Sequence, residues 1–367
     1  MSLRVENLKV AYRTLRGDVT AVDGVSFSIQ DGEIMGLAGE SGCGKSTLGN
    51  SLVYMEGRMK HLDGTVELDG QRLPISDNRA MDQYRMRQVS IIPQFAMSAL
   101  NPTRKIGRMA ADLLRSRGVA YKDIEEEFRR RIALVDLPED VTERYPFELS
   151  GGMRQRATMV ISTLLDPSLL IGDEVTSALD VSTQRAVGEM LTEFRDRGFV
   201  KSMIVITHDL SILAQIADSI LVMYAGKLAE KADADTIVNK SLHPYTQLLL
   251  ASLPEVGLRY DDAPLVGIAG RPPSLFNPPA GCRFRERCPF AMQQCTQEPP
   301  FVEVRPGHHV ACWKVHDDLA SGQERVLDAA SAALARPPAA GGSATGGAAA
   351  PAAPATTVSP PGGAAQP

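Results

Sequence analysis

The run Gly39-Glu40-Ser41-Gly42-Cys43-Gly44-Lys45-Ser46-Thr47 limits the possible folds more than any other stretch of this chain. It follows an apolar segment, residues 33–38, that reads as a buried strand, and precedes residues 48–54, which read as a helix. A strand, a G-x-x-x-x-G-K-[ST] loop and a helix in that order form the context in which a glycine-rich turn cradles phosphate. The glycines let backbone N–H groups turn inward around phosphate oxygens, at a helix N-terminus that already favours anions. Lys45 adds a point charge for the β- and γ-phosphates, and Ser46 supplies a hydroxyl to Mg²⁺. A hydrophobic content of 44% with only 5% aromatic residues describes the aliphatic interior of an α/β protein.

A second motif lies at residues 168–174, Ser-Leu-Leu-Ile-Gly-Asp-Glu, a short apolar strand that ends in two acids. Carboxylates at the end of a buried strand are costly unless they hold a metal or move a proton. Asp173 is the natural Mg²⁺ partner, and Glu174 the base that orients and activates an attacking water. A third, Leu149-Ser150-Gly151-Gly152-Met153-Arg154-Gln155-Arg156, is another glycine-rich anion site about a hundred residues beyond the first.

Together these motifs resemble those of the ABC superfamily of ATPases. The resemblance implies a phosphate-loop nucleotide-binding domain with a RecA-like core, an antiparallel β subdomain and an α-helical subdomain. It implies a dimer in which Ser150, Gly151, Gly152 and Asp180 reach the ATP held by the partner's loop. Gly39, Ser41, Gly42, Gly44, Lys45, Ser46 and Thr47 then hold the chain's own ATP, and Tyr12 stacks on its adenine. Gln94 resembles the glutamine that senses Mg²⁺ and water, alongside Ser46 and Asp173 as metal residues. His208 resembles the switch histidine at the γ-phosphate, completing a catalytic set with Lys45, Gln94 and Glu174. Ser177-Ala178-Leu179-Asp180 resembles the loop that crosses the dimer interface. Two positions depart from the pattern: Met153 stands where many relatives carry Gln, and Val175 where the family usually has Pro. Neither change removes a catalytic group.

Composition divides the chain at residues 1–235 (the ATPase domain), 236–318 (an extension) and 319–367 (an Ala/Gly/Pro-rich tail). The tail cannot bury enough surface to offset its ordering entropy and is expected to be disordered. In the extension, His243-Pro244-Tyr245-Thr246, Gly270-Arg271-Pro272-Pro273-Ser274 and Gly281-Cys282-Arg283-Phe284 strongly resemble oligopeptide/dipeptide importer ATPases. That family implies two transmembrane permease subunits, an extracytoplasmic binding protein and usually a second, non-identical ATPase. Relatives also import oligosaccharides or nickel, so cargo is not readable from the chain. The resemblance places residues 94–102 where such ATPases receive the permease, and Phe95 and Met97 are expected either to pack there or to belong to the core of the helical subdomain.

Cys282, Cys288, Cys295 and Cys312 are separated by five, six and sixteen residues. Their spacing lacks the close pairs of structural zinc sites. Four thiolates suit an iron–sulfur cluster, and the resemblance implies a 4Fe–4S site here, with zinc as the alternative. His308 and His309 would be ligands in the zinc case and are otherwise expected to be ordinary loop residues. Cys43 is expected to be a small, nearly buried residue of the phosphate loop.

The net charge of −5 argues against a broad nucleic-acid footprint. No apolar run approaches the roughly 20 residues needed to span a bilayer. The first residues lack a signal-peptide pattern. The expectation is an ATPase at the cytoplasmic face of a membrane, held there by its permeases. A soluble ABC mechanoenzyme is the competing class. It is disfavoured because neither an inserted coiled coil nor a second ATPase unit is present. A redox-sensing module with vestigial hydrolysis is disfavoured by the complete set Lys45, Asp173, Glu174 and His208.

Overall fold

The structure is a computed structural model that describes residues 2–94, 96–176, 179–252 and 267–322. Phe95, Ser177, Ala178 and the tail from residue 323 lie outside the described residues, as does the side chain of Met97. The expectations attached to them concern that undescribed part.

In chain order the strands are β1 (Leu3–Thr14), β2 (Gly17–Ile29), β3 (Ile34–Ala38), β4 (Met59–Leu68), β5 (Gln71–Arg72) and β6 (Val89–Ile92). They continue with β7 (Leu169–Asp173), β8 (Ser202–Ile206), β9 (Ser219–Tyr224), β10 (Lys227–Asp233), β11 (Val302–Arg305) and β12 (His308–Val310). The order β9-β3-β8-β7-β6 forms a parallel core, with the strand that feeds the phosphate loop in its interior. β3, β7, β8 and β9 are buried at every position, because a parallel sheet is covered on both faces and its strands read as continuous apolar runs.

Alternation along β3 assigns its side chains to two cores. Ile34 and Ala38 share an apolar cluster with Leu213 of the helix Leu210–Ile216, which lies over Gly36 of the same strand, and the cluster extends to the helices Ile106–Ser116, Tyr121–Leu134 and Gly151–Thr163. Met35 and Leu37 point the other way, into a core shared with the antiparallel sheet β2-β1-β4-β5. The helical layer therefore covers one face and the antiparallel layer the other. Within the helical layer, Ile106, Ala110 and Leu114 recur every fourth residue and form the buried stripe of their helix. Arg131 is buried there too. It is held by Glu127 (2.6 Å), Asp166 (2.5 Å) and the Thr163 carbonyl (2.5 Å), with Phe199 beneath its guanidinium.

The extension adds to the same sheet. The β11–β12 hairpin pairs antiparallel onto β10, with Glu230 opposite Val310 and Lys231 opposite His309. The edge of β10 is thereby paired, and β11 becomes the outermost strand on that side. His308 and His309 are strand residues here, which corrects the expectation of loop positions. Three residues are too few for a period-2 pattern to be readable. The His308 ring donates from Nε2 to the fully buried Glu230 carboxylate at 2.7 Å. The same carboxylate accepts the amides of Leu242 (2.6 Å) and His243 (3.2 Å).

His243 caps the helix Pro244–Ala251, its Nδ1 accepting the Tyr245 amide at 3.0 Å. Burial holds its pKa down to about 4, against an upward pull from Glu230 and the Ala311 carbonyl, while His316 adds to the depression. Because unfolded chains take up that proton near pH 6.5, stability should fall as pH drops from 6.5 towards 4, by up to about 3 kcal/mol. His243→Asn keeps a capping acceptor without a titrating ring. Its unfolding free energy should be lower at neutral pH but flatter across this window. Parallel pH slopes for the two proteins would exclude His243 as the titrating group.

Candidate functional site

The ends of four strands converge on the phosphate loop. β3 delivers Gly39 to Thr47, and the helix Lys45–Ser51 begins inside the loop. Gly39 (φ +143°) and Gly44 (φ +107°) adopt conformations that L-residues rarely reach. A Cβ would lie 2.2 Å from the Met223 carbonyl oxygen at Gly39 and 2.3 Å from that of Ala21 at Gly44. Both glycines are thus required by close backbone approach as well as by φ. Lys45 is buried, and its Nζ donates to the carbonyls of Gly39 (2.7 Å) and Glu40 (3.0 Å). Cys43 is nearly buried, as expected, and burial pushes its thiol pKa up.

β7 places Asp173 beside the loop. Ser46 Oγ donates to Asp173 Oδ1 at 2.9 Å. Burial raises the Asp173 pKa, and the neighbouring Glu174 charge pushes it the same way. A buried carboxylate with a facing hydroxyl suits a hard divalent cation, so these residues fit Mg²⁺.

Glu174 follows at φ +49°, a left-handed conformation uncommon for a residue with a Cβ, anchored by its amide to the Ile206 carbonyl (2.8 Å). Its carboxylate accepts from Gln94 Nε2 at 2.7 Å, just past β6, and lies 3.9 Å from His208 Nδ1, just past β8. Gln94, Glu174 and His208 thus meet at the carboxyl ends of parallel strands, where open α/β sheets bind their ligands. Tyr12, at the far end of β1, accepts from Thr47 Oγ1 at 3.3 Å, which brings an aromatic ring to the rim of the loop.

Ser150, Gly151 and Gly152 lie elsewhere, at the N-terminus of the helix Gly151–Thr163 in the helical layer. Ser150 Oγ accepts the Met153 amide at 3.3 Å, and open space surrounds Gly152 where a Cβ would stand. Asp180 caps the helix Val181–Asp196, accepting from Thr183 N (3.0 Å) and Oγ1 (2.7 Å). Val175 is buried and its carbonyl accepts from Gln155, a bond that a proline at 175 would also permit.

The extension carries Cys282, Cys288, Cys295 and Cys312, none of them in a disulfide. Burial raises the pKa values of Cys288 and Cys312 to about 12, with smaller upward pushes from the other cysteines. Amides of Phe284, Phe290 and Val315 hydrogen-bond to Cys282, Cys288 and Cys312, each favouring the thiolate. The Cys282 amide also donates to the Cys295 carbonyl at 3.0 Å. Among the described residues, no three His, Cys, Asp or Glu side chains are grouped closely enough to hold a metal ion as they stand. The donor set itself, four soft sulfurs with amides aimed at three of them, fits an iron–sulfur cluster or zinc.

Sequence reasoning missed what joins the extension to the phosphate loop. Arg287 pairs with both carboxylate oxygens of Glu40, at 2.5 and 2.9 Å, and Tyr245 accepts the Glu40 amide at 2.7 Å. Glu40 occupies a position of the loop motif where any residue is allowed, so no local signal marks it.

Residues 22–177 match the ABC transporter family, and residues 229–295 match the family described as the oligopeptide/dipeptide transporter, C-terminal region. The chain is 37% identical to the oligopeptide transport ATP-binding protein OppD of Salmonella typhimurium, across 86% of this chain and 95% of that one. It is 39% identical to the dipeptide transport ATP-binding protein DppD of Bacillus subtilis, across 85% and 94%. Among solved structures, the dimeric ATP-binding cassette MJ0796 bound to ADP and Pi superimposes with a TM-score of 0.56 at 21% identity. That match covers 63% of this chain and 98% of the cassette, and shows the fold alone. Phosphate loop, acidic strand end, the glycine-rich start of the helix Gly151–Thr163 and extension are all present in one chain, and it belongs to the ABC transporter family as an ABC-type ATPase related to the ATP-binding proteins of oligopeptide and dipeptide transport.

Proposed function

We propose that this chain couples ATP hydrolysis to the import of oligopeptides or dipeptides through a membrane complex. The observation that carries this reading is similarity running from the ATPase domain through the extension to proteins of oligopeptide and dipeptide transport. Among the described residues no helix is long and apolar enough to cross a membrane. Two permease subunits, a second ATPase and an extracytoplasmic binding protein complete the assembly. The chain sits at the cytoplasmic face through its permeases.

The site supports a mechanism in which two ATPs are held between head-to-tail subunits. Each ATP lies on one subunit's phosphate loop and under the other's Ser150, Gly151, Gly152 and Asp180. Lys45 leaves its own loop carbonyls for the β- and γ-phosphates. Mg²⁺, when bound by Ser46, Gln94 and Asp173, neutralises charge on the phosphate oxygens. Glu174 takes the proton of the attacking water, and Gln94 and His208 hold that carboxylate and the γ-phosphate in line. Catalysis is mostly positioning and charge stabilisation. Hydrolysis removes the γ-phosphate contacts that favour closure, and the dimer reopens.

Cys282, Cys288, Cys295 and Cys312 hold a 4Fe–4S cluster that stabilises a segment with little core of its own. Anaerobically purified full-length protein should contain iron and acid-labile sulfide in equal amounts, and Cys288→Ser should lose both. Zinc without sulfide would replace the cluster by a zinc site.

The import reading is tested by mild-detergent affinity purification of the tagged chain from its own cells. Two multi-spanning permeases, a second ATPase and a binding protein should co-purify. Recovery of soluble partners alone, or of nucleic acid, would overturn it.

A further inference from the structure

We infer that Arg287 and Tyr245, both in the extension, are positioning residues for the phosphate loop, so that nucleotide affinity depends on how the cysteine segment is seated. This rests on the reading of residues 39–47 as the ATP site.

Glu40 is held from two sides. From one side, its carbonyl and that of Gly39 hold Lys45 Nζ, at 3.0 and 2.7 Å. From the other, its amide donates to Tyr245 Oη at 2.7 Å and its carboxylate meets the Arg287 fork. A loop amide aimed at Tyr245 is an amide turned away from the phosphate side, so the phenol helps set which loop amides face the nucleotide. Backbone, side chain and carbonyl of one residue are therefore all tied, two of them by the extension.

Arg287 cannot shift freely to follow the loop. Its side chain is 5% exposed. Nε donates to the Ala269 carbonyl (2.9 Å), Nη2 to Ile268 O (3.2 Å) and Glu40 (2.9 Å), and Nη1 to Tyr224 Oη (3.1 Å) and Glu40 (2.5 Å). All five guanidinium donors are used, which leaves one geometry for the pair. The residue after it is Cys288, and Phe284 of the same segment packs on Tyr245 and Tyr224 at centroid distances of 5.3 and 5.2 Å. The chain of contact runs from Cys288 through Arg287 to Glu40 and on to Lys45, crossing 247 residues of sequence at the Arg287–Glu40 step.

A merely structural clamp would lower stability and leave the nucleotide site alone, and the test separates the two. Binding of a fluorescent ATP analogue with Mg²⁺ is measured on the full-length chain, alongside thermal unfolding. Arg287→Ala and Glu40→Ala should each weaken binding about tenfold, and the double variant should be no worse than either, because both act through one contact. Arg287→Lys should recover only part of the loss, since an ammonium cannot reproduce the fork. Tyr245→Phe, which keeps the ring packing and removes only the acceptor, should weaken binding about threefold while remaining folded. In the assembled complex the KM for ATP should rise with kcat nearly unchanged. Affinities within twofold of wild type in Tyr245→Phe and in Arg287→Ala would overturn the inference, as would additive losses in the double variant. A wild-type chain that fails to bind the analogue would instead refute the assignment of the ATP site.

Discussion

Glu174→Gln should keep ATP binding and lower turnover by about 10²–10⁴-fold. The substitution preserves length and volume, and an amide oxygen can still accept from Gln94 Nε2, now 2.7 Å from the carboxylate. What it cannot do is take the water's proton. The left-handed backbone at φ +49° and the amide bond to Ile206 are untouched, so the side chain stays where Gln94 and His208 meet. Single-turnover hydrolysis and nucleotide binding, measured on the same preparation, separate the chemical step from affinity. Near-normal hydrolysis would remove Glu174 from the proton-transfer role. A loss of binding equal to the loss of rate would make it a binding residue.

The second large effect concerns stability. Glu230 is fully buried in β10 and satisfies three donors at once: the His308 ring and the amides of Leu242 and His243. Glu230→Ala strands all three where water does not reach. Removing one partner of a buried pair typically costs about 3–5 kcal/mol. Two of those donors lead into the helix Pro244–Ala251 and the third sits on β12, so the damage should fall on the seating of the extension. Denaturant unfolding should show the loss, and amide exchange at β12 should rise well above that at β3. Glu230→Gln, which retains acceptor capacity, should be milder. A Glu230→Ala protein with wild-type unfolding and unchanged β12 exchange would show that the edge pairing is held by other contacts.

The residues proposed for catalysis were legible in two ways, Lys45, Asp173 and Glu174 as motifs and Gln94 and His208 by resemblance, and all five lie at or beyond the ends of β3, β6, β7 and β8. A parallel sheet gathers such ends along one edge whatever the intervening sequence. Tyr12 was singled out by resemblance, and in the structure its strand runs past the loop and reaches Thr47. The extension was legible as a family resemblance and as four cysteines, but its attachment was not. His308 was expected in a loop and lies in a strand, against a glutamate 78 residues earlier. Arg283 reaches Asp23 at 2.5 Å across 260 residues. No period or spacing encodes such pairs, because each joins residues that only the folded chain brings together.

The phosphate loop, the acidic strand end, the second glycine-rich site at residues 149–156 and the α/β class are all readable from residue order alone. These are short runs whose chemistry follows from backbone φ, residue type and order. Folding alone brings the extension onto the edge of the central sheet and against the loop at Glu40. That outcome depends on burying Glu230, Arg287 and Arg283 against partners far away in the chain. A charge leaves water only where the folded geometry supplies a hydrogen-bonded counterpart.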